Sequence, residues 1–312
     1  MRFFARFIVL GLVALCSWVG GWKAMPRVKA LIVESDQARY ARVCGEIAGG
    51  KNAADTTVVA SPLARTADVP VLMAHAGAGG EIFYANTPEA CDKSIAKGFR
   101  ILEVDVSITS DGVPVMSHCF QPNGEIVFDR TPTAAEFLAT KVCGTGTPMT
   151  LADFLNRYEG FDGYLCVDQS AQCRGTDFDL IGFLEKTATA ARLKRIIYQA
   201  YTLDELKRLQ SHNPFGFVHY CLGREAWDAS AESSWGELIP ALKTAGVTSV
   251  SFGDMPIDDR LGRLVSTFKA AGFAVSVANV NSLARAKRWV SLGVDCFDTD
   301  FLTPEMLGAS EW

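Results

Sequence analysis

No two of the nine cysteines stand as a CxxC pair, so a zinc ribbon and a thioredoxin-type redox motif are excluded. No GxGxxG follows the first strand-like run, and a dinucleotide-binding reading has no support. None of the strand-like runs ends in lysine, so an aldolase-type Schiff-base site at a barrel mouth has no nucleophile. Long apolar runs are also missing. The one charge-free run near the N-terminus, residues 7–22, is shorter than the roughly 20 residues of a usual span, which excludes a multi-span membrane protein. Histidine is scarce: 4 in 312 residues, at positions 75, 118, 212 and 219, so each can be weighed by its surroundings.

Apolar residues make up 49 % of the chain and charged residues 21 %, a globular composition that rules out a disordered chain, a coiled coil or a collagen-like repeat. Charge is unevenly divided. Residues 1–29 hold Arg2, Arg6, Lys23, Arg27 and Lys29 and no acid, which leaves 25 basic against 35 acidic residues in the rest, a net −10. A domain that acidic is a poor nucleic-acid binder, because phosphate contacts need a basic face. The run 7–22 follows Arg2 and Arg6, the order of an export signal or anchor. No small-x-small cleavage site follows it, which favours an uncleaved anchor, and Leu15 before Cys16 disfavours a lipoprotein signal. Lys23, Arg27 and Lys29 compete with the first two arginines under the positive-inside rule, so orientation is open; export to a periplasmic or extracellular face suits the chemistry argued below. The expected division is a signal or anchor segment over 1–29, a connector over 30–68 and one catalytic domain over 69–312. In an exported domain Cys119 could pair with Cys143, or Cys166 with Cys173.

Beyond residue 68 short β-branched runs alternate with longer amphipathic ones. Eight runs read as strands: Val71–His75, Ile101–Ser107, Tyr164–Asp168, Ile196–Ala200, Phe217–Leu222, Ser249–Phe252, Ala274–Ala278 and Asp295–Asp298. The segments between them carry helical periodicity, and several end in glycine. Eight such units predict an α/β fold, a (β/α)8 TIM barrel preceded by an N-terminal membrane-anchor or signal helix. A further run, Val113–His118, follows Asp111-Gly112, a strong turn signal.

Active sites of such barrels lie at the C-terminal ends of the strands. His75 is delivered by an apolar strand into a Gly-rich loop; the alternative is a satisfied core histidine. Glu103 and Asp105 stand two apart on one strand and so point to one face. Two carboxylates inside a barrel are costly unless a cation neutralises them, and hard oxygen ligands suit Mg²⁺ or Ca²⁺. The bland reading pairs one acid with Arg100 and leaves the other in solvent. Asp168, ending the next strand, supplies a third carboxylate and weakens it. His212 reads as a solvated helix end, His219 as a mid-strand residue facing the interior, and Trp289, at helical spacing, as core rather than lipid contact.

The stretch from His75 to His118 resembles the glycerophosphodiester phosphodiesterase family, one of the phosphatidylinositol-phospholipase-C-like phosphodiesterase barrels. The matching residues are His75, Gly77, Asn86-Thr87, Gly98, Glu103, Asp105, Thr109, Asp111-Gly112, Val115 and His118, and weaker similarity runs to about residue 305. The resemblance implies metal-dependent hydrolysis of a glycerophosphodiester or other lipid-derived phosphodiester. It implies His75 and His118 as the general acid/base pair, and Glu103, Asp105 and Asp168 as holders of one divalent cation, Mg²⁺ or Ca²⁺. Four positions depart from the family pattern. Ala76 stands for Arg, Ala85 for Glu and Cys119 for Asp, and Ser170 stands where a Lys is common. The missing cations leave Arg174 or Gln199 as substitutes and keep a second reading open: a degenerate barrel that binds a phosphodiester or lipid head group without turnover.

Overall fold

The computed structural model describes residues 38–50, 58–77, 86–120, 128–142, 144–170, 176–223 and 228–310, together with Arg174 and Ala226. Nine strands form one sheet. They are β1 (Val71–Ala74), β2 (Ile101–Ile108), β3 (Pro114–Met116), β4 (Tyr164–Gln169), β5 (Ile196–Ala200), β6 (Phe217–Cys221), β7 (Val247–Gly253), β8 (Ala274–Ala278) and β9 (Cys296–Thr299). Eight are parallel in the order β1-β9-β8-β7-β6-β5-β4-β2, and Ala74 against Leu102 closes β1 onto β2. The predicted eight-stranded barrel is therefore present. β3 lies antiparallel to the end of β2, turned back through Gly112, whose φ of +81° is open to glycine at little cost. Helices of the outer layer start where threonine or serine caps them: Thr87, Thr150, Thr202, Ser282 and Thr303 each accept a backbone N–H of the first turn.

Strands covered by helices are buried on both faces, which is why they read as continuous apolar runs. Alternate residues face the lumen. At its N-terminal end Leu63, Met73, Ile101, Cys166, Ile197, Ala274 and Cys296 pack into an apolar floor. Leu63, from the expected connector, is fully buried there. A helix over 38–48, also in that segment, packs Val43, Cys44 and Ile47 onto the barrel's outer core, and Gln210 Nε2 donates to Ile47 O at 2.6 Å. Cys119 and Cys166 are free thiols, so neither of the two pairings left open by the sequence is formed by them; Cys143 and Cys173 lie outside the described residues. Residues 1–29 lie outside them as well. Among the described residues no helix is long and apolar enough to cross a membrane.

One buried cation is structural. Arg192, 2 % exposed, donates to the carbonyls of Tyr158, Glu159, Phe161 and Gly163 and so ties the loop before β4 to the barrel. Arg192→Met leaves these acceptors unpaired and is expected to cost about 3 kcal/mol, read as a lower midpoint in chemical denaturation with unchanged slope. A midpoint equal to that of the unaltered chain would show that water replaces the guanidinium.

Candidate active site

The parallel register sets Asp105 beside Asp168, Asp168 beside Gln199 and Gln199 beside His219, one residue per strand around the lumen. Glu103 lies one lumen-facing step below Asp105. Carboxylate oxygens of Glu103, Asp105 and Asp168 all come within 4.8 Å of one another. The expected trio therefore converges at the C-terminal end of the barrel.

Each acid is held by a different element. Glu103 Oε2 accepts the backbone N–H of Ala76 at 2.7 Å. To aim that N–H, Ala76 takes φ 50° and ψ 30°, a left-handed conformation that costs a non-glycine residue of order 1 kcal/mol or more. Asp105 and Asn86 bond reciprocally: Asn86 Nδ2 donates to Asp105 Oδ2 and Asp105 N donates to Asn86 Oδ1, both at 2.9 Å. Asp168 Oδ2 accepts from Tyr201 Oη at 2.6 Å, and Arg174 lies 3.6 Å from Oδ1.

Crowding of buried carboxylates shows in their protonation. Burial, with the charges of Asp105, Asp168 and Asp298 added, drives Glu103 well above the usual carboxylate range. Burial and the neighbouring Asp105 push Asp168 up to about 8, against the lowering pull of Tyr201 and Arg174. Asp298, at the end of β9, is pushed up to about 7, mainly by burial. Asp168 Oδ1 and Asp298 Oδ1 are buried without a hydrogen-bond partner. The donor set is all carboxylate oxygen, converged and underneutralised, and a hard divalent cation fits it.

His75 sits beside this trio. Its Nδ1 lies 2.7 Å from Asp300 Oδ1 and 2.7 Å from Asn279 Nδ2. Asn281 fixes Asp300 in turn, donating to Oδ2 and accepting from its backbone N–H, both at 2.8 Å. Burial alone would lower the pKa of His75. The hydrogen bond to Asp300 and the charges of Asp105, Asp298 and Asp300 outweigh it, and the pKa is raised. His118 follows β3 and is exposed at the rim; Ser117 N donates to Asp105 O at 3.1 Å, which sets the histidine's backbone against the acid-bearing strand. His219 is fully buried in the lumen, its Nδ1 2.8 Å from Ser249 Oγ, and burial drops its pKa to about 3. His212 is exposed beside Glu185, and Trp289 is buried and donates to Asp254 Oδ1 at 2.8 Å, as expected for helix-end and core residues.

Sequence reasoning missed Asp300, Asn279, Asn281 and Tyr201. A signal existed for one: Asp298-Thr299-Asp300 repeats at the last strand the acid-x-acid spacing of Glu103-Val104-Asp105. Of the departures, Ala76 serves through its backbone and Ser170 bonds Ser107 Oγ at 2.9 Å, while Ala85 lies outside the described residues.

The sequence model of the Glycerophosphoryl diester phosphodiesterase family matches residues 75–123 and 166–303. A comparison with curated proteins gives no match. Among solved structures the chain is similar to a candidate glycerophosphodiester phosphodiesterase of Galdieria sulphuraria. The TM-score is 0.62 at 17 % identity, over 78 % of this chain and 98 % of that one. A candidate glycerophosphoryl diester phosphodiesterase of Silicibacter pomeroyi gives 0.62 at 20 %, over 78 % and 94 %. An Oleispira antarctica phosphodiesterase, solved with its product sn-glycerol-3-phosphate, gives 0.56 at 16 %, over 77 % and 96 %. At these identities the likeness establishes a shared fold.

Proposed function

The chain belongs to the glycerophosphoryl diester phosphodiesterase family, and from that premise we propose that it hydrolyses a glycerophosphodiester with His75 and His118 as its proton-transfer pair. Glu103, Asp105 and Asp168 would hold one divalent cation, Mg²⁺ or Ca²⁺. The observation that carries the reading is the convergence of these three carboxylates beside an imidazole braced by Asp300. When bound, the cation supplies Lewis-acid neutralisation of the charge that develops on phosphate. The chain's own groups do the rest. One imidazole accepts the proton of the attacking hydroxyl as the new P–O bond forms. The other gives a proton to the departing alkoxide as the old P–O bond breaks. Histidine suits both because its pKa lies near the working pH.

The test is hydrolysis of glycerophosphodiesters by the full chain with Mg²⁺ or Ca²⁺, followed by release of sn-glycerol 3-phosphate. His118→Ala is expected to lose about 10²–10⁴-fold in rate. A folded His118→Ala variant at the unaltered rate removes His118 from the mechanism. The lost cations at positions 76 and 170 favour the second reading, a binding barrel without turnover. Product binding with no hydrolysis of any glycerophosphodiester would decide for it.

Residues 1–29 are proposed to tether the domain to a membrane on its exported side, because a charge-free run follows two arginines there. The full chain is expected in the membrane fraction and a chain beginning at residue 38 in the soluble one. Recovery of the intact full chain as soluble protein overturns this.

A further inference from the structure

Resting on the phosphodiesterase reading, we propose that Arg174 binds the phosphate of the substrate, with the Tyr201 ring as its platform. Three ionised carboxylates and one divalent cation leave a net negative charge at the barrel mouth. A phosphodiester is itself an anion, so the carboxylates and cation by themselves repel what the site is meant to hold. Among the described residues, Arg174 stands 3.6 Å from Asp168 Oδ1 and so brings a fixed positive charge to the trio. His75 is already committed through Nδ1 to Asp300.

Arg174 meets the requirements of a phosphate contact. Its guanidinium carbon lies 3.6 Å from the centroid of the Tyr201 ring, a stacking distance that holds the planar group on one face. Its Nη1 donates to Gln169 O at 2.9 Å and stands 3.6 Å from Asp168 Oδ1. That second separation exceeds hydrogen-bond length, so the carboxylate attracts the guanidinium without closing a bidentate pair on it. The side chain keeps 28 % of its exposure, against 15 % for Asp168. It can therefore give hydrogen bonds to an arriving anion. Gln199, the other candidate, carries no charge and is buried, with its Nε2 donating to Tyr201 Oη and its Oε1 accepting from Cys166 Sγ at 3.7 Å. Tyr201 is then a positioning residue, with its hydroxyl on Asp168 and its ring under Arg174.

The experiment compares the full chain with Arg174→Ala and Arg174→Lys, all loaded with Mg²⁺. Calorimetry measures affinity for sn-glycerol 3-phosphate and for glycerol, thermal shift gives the Mg²⁺ midpoint, and rates separate KM from kcat. Arg174→Ala is expected to weaken sn-glycerol 3-phosphate binding about ten- to hundredfold and to raise KM in proportion, since a charged hydrogen-bond donor is lost. Glycerol binding stays unchanged, Mg²⁺ affinity does not fall because a positive charge beside Asp168 has been removed, and lysine restores part of the phosphate affinity. Unchanged phosphate affinity in folded Arg174→Ala overturns the assignment. So does a loss matched by an equal loss of Mg²⁺ affinity, which would make Arg174 a support for Asp168. An unaltered chain that neither binds sn-glycerol 3-phosphate nor hydrolyses a glycerophosphodiester overturns the phosphodiesterase reading and this assignment together. Turnover by the unaltered chain beside an unaffected Arg174→Ala overturns the assignment alone.

Discussion

Replacing His75 with alanine is expected to lower phosphodiester turnover by about 10²–10⁴-fold while the barrel stays folded. The fold survives because the imidazole's described contacts are polar and local. Asp300 and Asn279 meet it at Nδ1, and Asp300 remains anchored by Asn281 when the ring is gone. A companion variant isolates the electrostatic part. Asp300→Asn keeps the shape of the brace and removes its charge, so the pKa of His75 falls from its raised value. A histidine whose folded pKa is raised adds stability that is fully present below its unfolded pKa of about 6.5 and is lost as pH rises through the folded value. In Asp300→Asn that acid-side increment should shrink. Rate, circular dichroism and an NMR titration of His75 check the set. A folded His75→Ala enzyme at the unaltered rate removes His75 from the chemistry. An unmoved His75 pKa in Asp300→Asn removes Asp300 from its control.

Removing divalent cations with EDTA should cost stability, and more so at higher pH. Asp168 and Asp298 are held up at about 8 and about 7, and Glu103 is raised as well. In the unfolded chain such groups ionise near pH 4, as ordinary carboxylates do. A carboxyl with a raised folded pKa stabilises the fold below its unfolded pKa, and that contribution is lost as pH rises through the folded value. The metal-free protein should therefore weaken steadily between about pH 4 and pH 8, by an amount on the order of a few kcal/mol. A bound cation takes the place of the protons. Mg²⁺ or Ca²⁺ should raise the thermal midpoint in a concentration-dependent way, with a larger increment at pH 8 than at pH 5.5, because at pH 5.5 it must displace more protons. Glu103→Gln removes one of the repelling charges. It should make the metal-free protein more stable at pH 8 and blunt the response to cation. A midpoint at pH 8 that does not respond to either cation removes the metal site.

The barrel and half of its site are legible in the sequence, and physical reasons separate the halves. Strands buried on both faces write themselves as apolar runs, and a carboxylate interrupting such a run, as at Glu103, Asp105 and Asp168, is visible because it is expensive there. His75 is visible for a related reason, since an apolar strand carries it into a Gly-rich loop. Its brace is not. Asp300 stands 225 residues away and reaches His75 only because β9 pairs with β1, a contact that exists once the sheet has closed. Tyr201 belongs to the loop after β5 and contacts Asp168 through a hydroxyl that no periodicity reports. Leu63 is hidden differently. A single leucine in a polar, Ala/Thr-rich stretch carries no pattern, and its burial depends on the lumen it stops.

That stopper has a consequence for traffic. With Leu63, Met73 and Ile101 packed across its N-terminal end, the barrel is closed there and opens at the acid-bearing end. Whatever diffuses in over the rim must leave over the same rim, so an alcohol and a phosphate monoester released inside depart through the opening that admits the next substrate. Entry and exit are thus steps of one queue, and the order of departure is set by which fragment is held more tightly at the doorway.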